Sequence, residues 1–347
     1  MRVQSGATRE AEGSVVTRVL VVVQEYPQIS ETYIKNELDA LDERFELELL
    51  ALLPGSYPYR SRRAHIVLSQ ANQLNVLEYL KRFAPGIIHG HYLAVLPAVV
   101  RISERLKVPF TIRAHSFDAL DLDSAKSAQL NLRAIGSNPL FRGVLCFPFV
   151  RQRLVDAGLP ETKVLACNPI IDVVRFRNRE PNGPDIMNVG AALPKKNMED
   201  FIALSRLVPE RQFNLYGLGY DTPRLLEVNS RMGGRVNFIP PVEPEEMPSE
   251  YKKHSWLVYT ASRRINTVGW PMALIEGQAS GLGVYVQRIR EDLREFIGDA
   301  GSFFDSPEEL VDVIREPPSE ATRKRGFEWA EQFDYRHQLH LLTDLWK

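Results

Sequence analysis

Short apolar runs alternate along the chain with longer segments in which apolar residues recur at helical spacing. The apolar runs predict β-strands at residues 19–23, 47–52, 86–92, 109–115, 143–148, 163–167, 185–190, 212–217, 235–240, 256–261 and 283–287. Amphipathic segments such as 30–43, 75–83 and 93–106 predict helices between them. Strands that alternate with helices are typical of a parallel sheet covered by helices. Because this plan occurs twice, the sequence predicts an α/β chain of two Rossmann-like, doubly wound domains.

Breaks in the pattern divide the chain. Pro169 and Asp172 lie in a connector, which predicts domains at residues 1–172 and 173–326. Residues 327–347 follow a Pro-Pro break and predict a C-terminal helix that packs back on the first domain. Residues 1–18 are polar, lack the apolar core of a signal peptide, and are expected to be disordered. Since such sheets bind ligands at the carboxyl ends of their strands, we expect a central cleft between two facing domains.

Composition narrows the class of protein. The chain has 347 residues, of which 44% are hydrophobic and 25% charged, as in soluble globular proteins. A net charge of −1 argues against nucleic acid as the main partner. Cys146 and Cys167 lie in short apolar runs, so we expect buried thiols and a reducing cytoplasm. The basic run at residues 59–63 is compatible with peripheral contact with an anionic membrane surface, or with a solvated loop.

The segment 268–281, VGWPMALIEGQASG, has the pattern of a phosphate-binding helix start. Gly269 allows close backbone approach, Pro271 suits a first helical position, and Gly281 suits a left-handed end. The helix N-terminus would offer unpaired N–H groups and about half a positive charge. Glu276 would then accept hydrogen bonds from ribose hydroxyls, although an ordinary turn followed by a surface glutamate remains an alternative.

Polar residues at the predicted strand ends are the other candidates. His89 and His91 end one strand and His115 ends another, but two histidines without a third ligand make no metal site. Lys195 and Lys196 follow a predicted strand end, where a cation can meet a diphosphate. The glycines at 217 and 219 lack the rest of a dinucleotide fingerprint, which argues against a dehydrogenase.

Six segments, in this order, resemble the motifs of family 4 of the retaining glycosyltransferases. They are YPQISETYIKNEL, FTIRAHSFD, NPIIDVVRF, NVGAALPKKN, NLYGLG and GWPMALIEGQASG, and the resemblance extends from about Val19 to the C-terminus. It implies the GT-B fold of two facing Rossmann-like domains. It also implies a nucleotide-diphosphate-sugar donor held by the second domain, a glycan, lipid-linked or small-molecule acceptor at the first, and no metal or other cofactor.

The resemblance also implies roles for individual residues. Lys196 would neutralise the diphosphate leaving group and His115 would approach the transferred sugar, although a strand-end histidine bonded to nearby backbone is an alternative. The implied acceptor-side residues are Ser30, Glu31 and Asp118. The implied donor-binding residues are Gly190, Gly217, Val242, Arg263, Gly269, Trp270, Pro271, Met272 and Glu276. Asp121 and Asp123 imitate a metal-binding pair of another fold, but aspartates at a helix start commonly act as caps.

Two positions depart from the family pattern. Val268 replaces a glutamate that contacts the donor sugar, and Ala191 replaces the arginine that accompanies the lysine. Arg263 and Arg264 either restore this positive charge or are simply solvated. We therefore expect a metal-independent retaining glycosyltransferase. The alternatives are a catalytically weakened GT-B module that binds a nucleotide or glycan for a partner enzyme, and a GT-B sugar-nucleotide epimerase.

Overall fold

The structure is a computed structural model that describes residues 18–28, 31–56, 63–122, 130–217, 219–265 and 267–347. The predicted leader up to residue 17, the acceptor-side candidate Ser30, Asp123 and most of the basic run 59–63 lie outside these ranges. Within them, the strands form two sheets whose neighbouring strands are all parallel.

The first sheet has the strand order β3-β2-β1-β4-β5-β6-β7. Its strands are β1 (Arg18–Tyr26), β2 (Glu46–Pro54), β3 (Ile66–Val67), β4 (Ile87–His91), β5 (Phe110–Arg113), β6 (Phe141–Cys146) and β7 (Val164–Ala166). Its helices are α1 (Thr32–Asp42), α2 (Gln73–Phe83), α3 (Leu96–Leu106), α4 (Ser116–Leu120), α5 (Leu132–Gly136) and α6 (Arg151–Asp156).

The second sheet repeats the arrangement with the order β10-β9-β8-β11-β12-β13. Its strands are β8 (Asp185–Val189), β9 (Phe213–Tyr216), β10 (Val236–Phe238), β11 (His254–Tyr259), β12 (Gly283–Gln287) and β13 (Gly301–Phe304). The remaining helices are α7 (Val173–Phe176), α8 (Met198–Leu207), α9 (Thr222–Met232), α10 (Met247–Tyr251), α11 (Met272–Ala279), α12 (Leu293–Ile297), α13 (Glu320–Glu331) and α14 (Leu339–Asp344). Both sheets reverse their strand order beside their first strand, which places a ligand crevice at the carboxyl ends there.

Local details differ from the sequence predictions in a few places. Strands β3 and β13 were not predicted from the sequence. β3 has only two residues, and β13 has four, one of which is a glycine, so neither shows a detectable alternation of apolar and polar residues. Asn197 and Asp200 have the spacing of a capping pair at the start of α8 in the sequence, but they do not cap the helix. Asn197 has a left-handed φ of 46° and makes no side-chain cap, because its amide donates to the Asp200 carboxylate at 2.7 Å.

An aromatic stack joins the two sheets. The Trp270 ring lies 4.9 Å from Phe296 in its own domain, and 6.1 Å and 5.5 Å from Phe147 and Phe149 in the first domain. One buried apolar cluster therefore continues from the first sheet to the second. The predicted buried thiols, Cys146 and Cys167, are confirmed as free and buried.

The end of the chain crosses between the domains. Helix α13 packs against α11 of the second sheet. After α13 the chain returns to the first domain, where Trp346 packs on Phe45 at 5.1 Å and its indole N–H donates to Thr111 at 3.1 Å. Residues 327–347 are therefore two helical pieces separated by a turn. Among the described residues, no helix combines the length and apolar character needed to cross a bilayer.

Candidate functional site

A cavity of about 890 Å³ lies between the carboxyl ends of the two sheets. Its walls come from the segments that follow β1, β4 and β5 in the first domain and β8 to β11 in the second. The structure thus brings strand-end residues from both halves of the chain to one place. The sequence-predicted residues that line it are Glu31, His115, Asp118, Gly190, Lys196, Gly217, Val242, Gly269, Trp270, Pro271, Met272 and Glu276.

Arg263 is the described candidate that does not line the cavity. Its guanidinium forms an ion pair with Asp305 and donates to the Arg288 carbonyl at 3.1 Å. The side chain therefore lies on an exposed surface of the second domain. Arg175, which the sequence reasoning missed, does line the cavity.

The start of α11 opens onto the cavity. Pro271 immediately precedes the helix in an extended conformation, so the helix begins one residue later than the sequence indicated. Met272 and Ala273 form its first turn and line the cavity, so the first backbone N–H groups lie at its wall. Gly281 ends the helix with a φ of 81°, as predicted.

Gly269 makes room for the other domain. A Cβ atom built there would lie 1.6 Å from the Ser116 Oγ of the first domain. No larger residue therefore fits at position 269 without moving one domain relative to the other. The close approach that the sequence indicated is thus made, in this structure, by Ser116.

Glu276 lies on the cavity side of α11. The Tyr251 hydroxyl donates to its carboxylate at 2.8 Å. Burial raises the pKa of Glu276, against the opposing effects of the Tyr251 hydrogen bond and the nearby Arg175 charge. Arg175 has a buried Nε that makes no hydrogen bond within the described ranges. A carboxylate and a guanidinium therefore lie together at this end of the cavity.

Two lysines line the neighbouring wall. Gly190 leaves β8 with a φ of 148°, a conformation that favours glycine, and directs the chain into the turn Pro194–Lys196. Lys196 donates to the Tyr259 hydroxyl, whereas the Lys195 ammonium lies 4.9 Å from the Phe117 ring centre across the cleft. Burial lowers the pKa of both lysines to about 8. Two poorly solvated ammonium groups thus line the cavity, where a bound anion can supply the stabilisation that water would otherwise give them.

An apolar pocket extends from the lysines toward the edge of the second sheet. The segment that follows β10 contributes Ile239, Pro240, Pro241 and Val242 to the cavity lining. Tyr216 and the exposed Tyr220 lie on the same lining. Flat aromatic and proline surfaces suit a planar ring, so the residues of this lining have the chemistry to hold a nucleobase.

The first-domain wall is acidic and aromatic. Glu31 stands just before α1, and its carboxylate accepts a hydrogen bond from Tyr92 at 2.9 Å. Burial raises the pKa of Glu31 to about 7. Asp118 accepts from the Leu93 backbone at 2.6 Å, and burial raises its pKa to about 7 as well. This wall therefore presents hydrogen-bond acceptors.

His115 lies between two tyrosines. Its ring centre is 4.6 Å from that of Tyr33 and 4.4 Å from that of Tyr92. Burial, with the charges of His91 and Arg113, holds the pKa of His115 well below its usual range. The imidazole is thus neutral at pH 7 and can accept as well as donate a hydrogen bond.

A buried ionic cluster lies directly behind His115. Glu37 has one carboxylate oxygen 2.5 Å from Arg113 Nε, and its other oxygen lies 2.9 Å from His89 Nε2 and 3.7 Å from His91 Nε2. Glu37, His89 and His91 are a possible set of metal ligands within the described residues. The Arg113 guanidinium already neutralises Glu37, so the arrangement is that of a buried ion pair.

Glu37 was not among the site residues predicted from the sequence, although its position in α1 indicated a buried charge. Glu37 lies on the face of α1 that carries the buried residues Ile34, Leu38 and Leu41. A charged residue on the apolar face of a helix requires a buried partner. Its partner, Arg113, comes from a strand distant in sequence and was not predictable from the helix alone.

The fold and the cavity together define the GT-B class, and solved structures with this fold are similar to the chain. Anabaena HepE in complex with UDP superposes with a TM-score of 0.71 at 13% identity, covering 94% of this chain and 99% of that one. The sucrose-phosphate synthase of Thermosynechococcus elongatus gives 0.66 at 15% identity, with coverages of 95% and 98%. The lipopolysaccharide outer core galactosyltransferase WaaB gives 0.61 at 14% identity, with coverages of 95% and 99%.

These neighbours are GT-B glycosyltransferases, and their likeness confirms the predicted fold of two Rossmann-like domains. No protein-family model matches the chain. No curated protein sequence matches it either. The similarity is therefore one of fold, and the activity has to be argued from the site.

Proposed function

We propose that the protein is a glycosyltransferase that moves a sugar from a nucleotide-diphosphate-sugar donor to a hydroxyl of an acceptor. The observation that carries the proposal is the division of charge across the cavity. Lys195, Lys196 and Arg175 outnumber Glu276 on the second-domain wall beside the start of α11. Carboxylates and tyrosines line the first-domain wall, where Arg113 is already paired with Glu37. A diphosphate fits the first surface and a polyhydroxylated molecule fits the second.

The donor would extend along the second domain. Its base would occupy the pocket beside Val242, its ribose would meet Glu276, and its diphosphate would meet the N-terminus of α11 and Lys196. HepE, which shares the fold, has been solved with UDP and with UDP-glucose. This likeness supports a nucleotide-sugar donor in the same cleft.

The chemistry that fits this wall is departure of the nucleoside diphosphate. As the bond between the sugar and the diphosphate breaks, negative charge develops on the leaving oxygens. The Lys196 ammonium and the backbone N–H groups of Met272 and Ala273 would stabilise that charge without a metal ion. The acceptor hydroxyl would attack from the same face and give its proton to the departing phosphate, which retains the configuration of the sugar.

A panel of nucleotide sugars tests the proposal directly. We expect release of a nucleoside diphosphate from one donor, increased by an acceptor glycan, and unaffected by EDTA. Binding without turnover would instead indicate a GT-B module that supports a partner enzyme. A new sugar isomer on the intact nucleotide would indicate an epimerase.

Replacing Glu276 should weaken nucleotide binding. A carboxylate that accepts two ribose hydroxyls makes charged hydrogen bonds worth about 1.5–3 kcal/mol each. We therefore expect Glu276→Ala to raise the Kd for a nucleoside diphosphate at least about tenfold, as measured by calorimetry. Tyr251→Phe is the matched control, because it removes the internal partner of Glu276 and leaves the carboxylate. An unchanged Kd for Glu276→Ala would remove this residue from the site.

Val268 suggests which sugar the donor carries. Its side chain is 2% exposed and lies on the cavity lining, and its carbonyl is already occupied by Arg290. A sugar hydroxyl directed at an apolar side chain would be left unpaired, at a cost of about 1–3 kcal/mol. The donor that suits this wall is therefore a deoxy or otherwise modified sugar.

Parallel assays with deoxy and fully hydroxylated donors measure this preference. We expect the wild type to have the higher kcat/KM with the deoxy donor. Val268→Thr, which adds a hydroxyl at nearly constant volume, and Val268→Glu should both shift the ratio toward the hydroxylated donor. A wild-type preference for the hydroxylated donor would contradict the assignment.

A further inference from the structure

A row of three polar side chains leads from the buried ionic cluster to the cavity. Glu37, His91 and His115 come from α1, the end of β4 and the residue before α4. His91 Nδ1 lies 3.2 Å from His115 Nε2, and the two rings stack with centres 5.5 Å apart. On its other side, His91 Nε2 lies 3.7 Å from Glu37 Oε1. His115 is the member whose ring also meets the cavity tyrosines.

We propose that Glu37 and His91 are positioning residues that hold His115 in one tautomer, protonated at Nε2 and carrying a lone pair at Nδ1. Hydrogen-bond donors and acceptors must alternate along the row, and a neighbouring contact determines the state of each side chain.

Glu37, at the buried end of the row, is ionised. Burial alone would raise the pKa of this carboxyl, but Arg113, His91 and His89 outweigh burial and hold it below its usual range. Glu37 is therefore an acceptor. His89 fits that assignment independently, since Trp346 donates to the Thr111 hydroxyl, which is then available to donate to His89 Nδ1 at 2.9 Å. The His89 proton is therefore on Nε2, facing Glu37.

His91 is the next residue in the row. Burial lowers the pKa of His91 to about 3, so its ring is neutral and has one proton. At 3.7 Å the carboxylate is too far for a full hydrogen bond, but its charge disfavours a lone pair on the facing Nε2. The proton therefore lies on Nε2, and His91 Nδ1 is an acceptor.

His115 is the last residue in the row. Two lone pairs that face each other at 3.2 Å repel, so His115 Nε2 must carry the proton that His91 Nδ1 accepts. Because His115 is neutral, its Nδ1 has a lone pair, and this nitrogen makes no hydrogen bond to any described residue. That the lone pair receives a hydroxyl of the transferred sugar or acceptor rests on the proposed function. The tautomer itself does not.

A metal ion is the competing occupant of this cluster. Glu37, His89 and His91 have ligand atoms within 4.8 Å of one another. A divalent cation there would lie next to the Arg113 guanidinium and would displace the proton that His89 directs at Glu37. The observed contacts therefore favour the hydrogen-bonded row over a metal site.

Imidazole ¹⁵N NMR of the full chain tests the tautomer, since the shifts of Nδ1 and Nε2 report which nitrogen is protonated. The seven histidines can be assigned with single His→Gln variants. His254 is an internal reference of the opposite kind, because its Nδ1 faces the Glu250 carbonyl at 2.8 Å and its Nε2 faces the Asn214 amide at 2.9 Å. We expect His115 to be protonated at Nε2 and His254 at Nδ1. A His115 protonated at Nδ1 at pH 7 would overturn the proposal.

Variants separate positioning from packing. Glu37→Gln should shift the His115 Nδ1 signal toward the protonated value, and so should the double variant Glu37→Gln/Arg113→Met, which leaves no unpaired charge. His89→Gln is the matched control, because His89 contacts the same carboxylate oxygen but not His115, and it should leave the His115 signal unchanged. An unchanged His115 signal in both Glu37 variants would overturn the role of Glu37.

Adding zinc to the wild-type protein tests the competing metal site, and the same imidazole ¹⁵N NMR spectra provide the measurement. The hydrogen-bonded row predicts no change in the His89 and His91 signals at one equivalent of Zn²⁺. A stoichiometric shift of both signals would assign the cluster to a metal and overturn the proposal. These measurements need no turnover, so failure of the transferase assay and failure of this inference are distinguishable.

Discussion

Replacing Lys196 by methionine should lower kcat by about 10²–10³-fold, the loss found when one electrostatic donor is removed from a reacting centre. The ammonium is partly buried over the Tyr259 ring, with its nitrogen 4.7 Å from the ring centre. In that environment its charge acts on a departing diphosphate with little screening by water. Methionine keeps an unbranched side chain that is one atom shorter, and it removes the ammonium with its charge and its hydrogen bond to Tyr259. Steady-state kinetics with the donor identified from the panel provide the measurement.

Two comparisons make the Lys196 result specific. Tyr259→Phe removes the hydroxyl partner and keeps the ammonium, so we expect a much smaller loss of kcat. Lys195→Met removes the same charge one residue away, where the ammonium lies over Phe117, and should act mainly on KM. A Lys196→Met enzyme with kcat within about threefold of the wild type would exclude the proposed role of Lys196.

The same lysines predict a pH dependence of binding. Burial lowers the pKa of Lys195 and of Lys196 to about 8, so both lose their charge as the pH rises through that value. Affinity for a nucleoside diphosphate should therefore be full at pH 7 and decline above about pH 8. The decline should be smaller in either single methionine variant and absent in the double variant. Calorimetric titrations between pH 6.5 and 9.5, roughly one and a half units on either side, cover the transition.

Loss of the C-terminal segment should strongly destabilise the protein. Phe333 is 3% exposed and packs against Phe296 at 5.1 Å, and beyond it the segment covers Leu145 and Ile170 of the first domain. The connector between the domains also depends on it, because Gln338 accepts from the Asn168 backbone at 2.7 Å and donates to the Pro169 carbonyl at 2.8 Å. Removing residues 327–347 should give aggregation or a large drop in Tm.

A single substitution at Phe333 measures how much one buried ring of this segment contributes to the free energy of unfolding. Phe333→Ala should lower the free energy of unfolding by about 3–5 kcal/mol, the usual cost of deleting a buried phenylalanine ring. Deletion of Lys347 alone is the control, since this residue is exposed and pairs only with Asp344 in the described structure. A truncated protein with normal Tm would show that the segment has no structural role.

The architecture followed from short-range sequence patterns alone. Alternating apolar and amphipathic segments depend on neighbours a few residues apart, and this local pattern was sufficient to predict two parallel, doubly wound sheets. The end of α11 was equally local, because Gly281 acts through its own backbone angle, and the start of the helix differed from the prediction at Pro271 by one residue. Residues placed at strand ends, such as His115 and Lys196, were predictable as cavity residues since parallel strands end on one edge.

Which of these residues contact each other depends on how the helices and sheets pack. Glu37 faces Arg113 because α1 packs against a sheet in which β5 lies two strands from β1. Arg175 faces Glu276 because α7 packs on α11. Ser116 fills the space at Gly269 because the aromatic stack holds one domain against the other. Such contacts join residues far apart in the chain, and their geometry depends on the packing of whole elements. Local sequence patterns carry no information about those distances. The contacts of Glu37 and His91 behind His115 were therefore not predictable from the sequence.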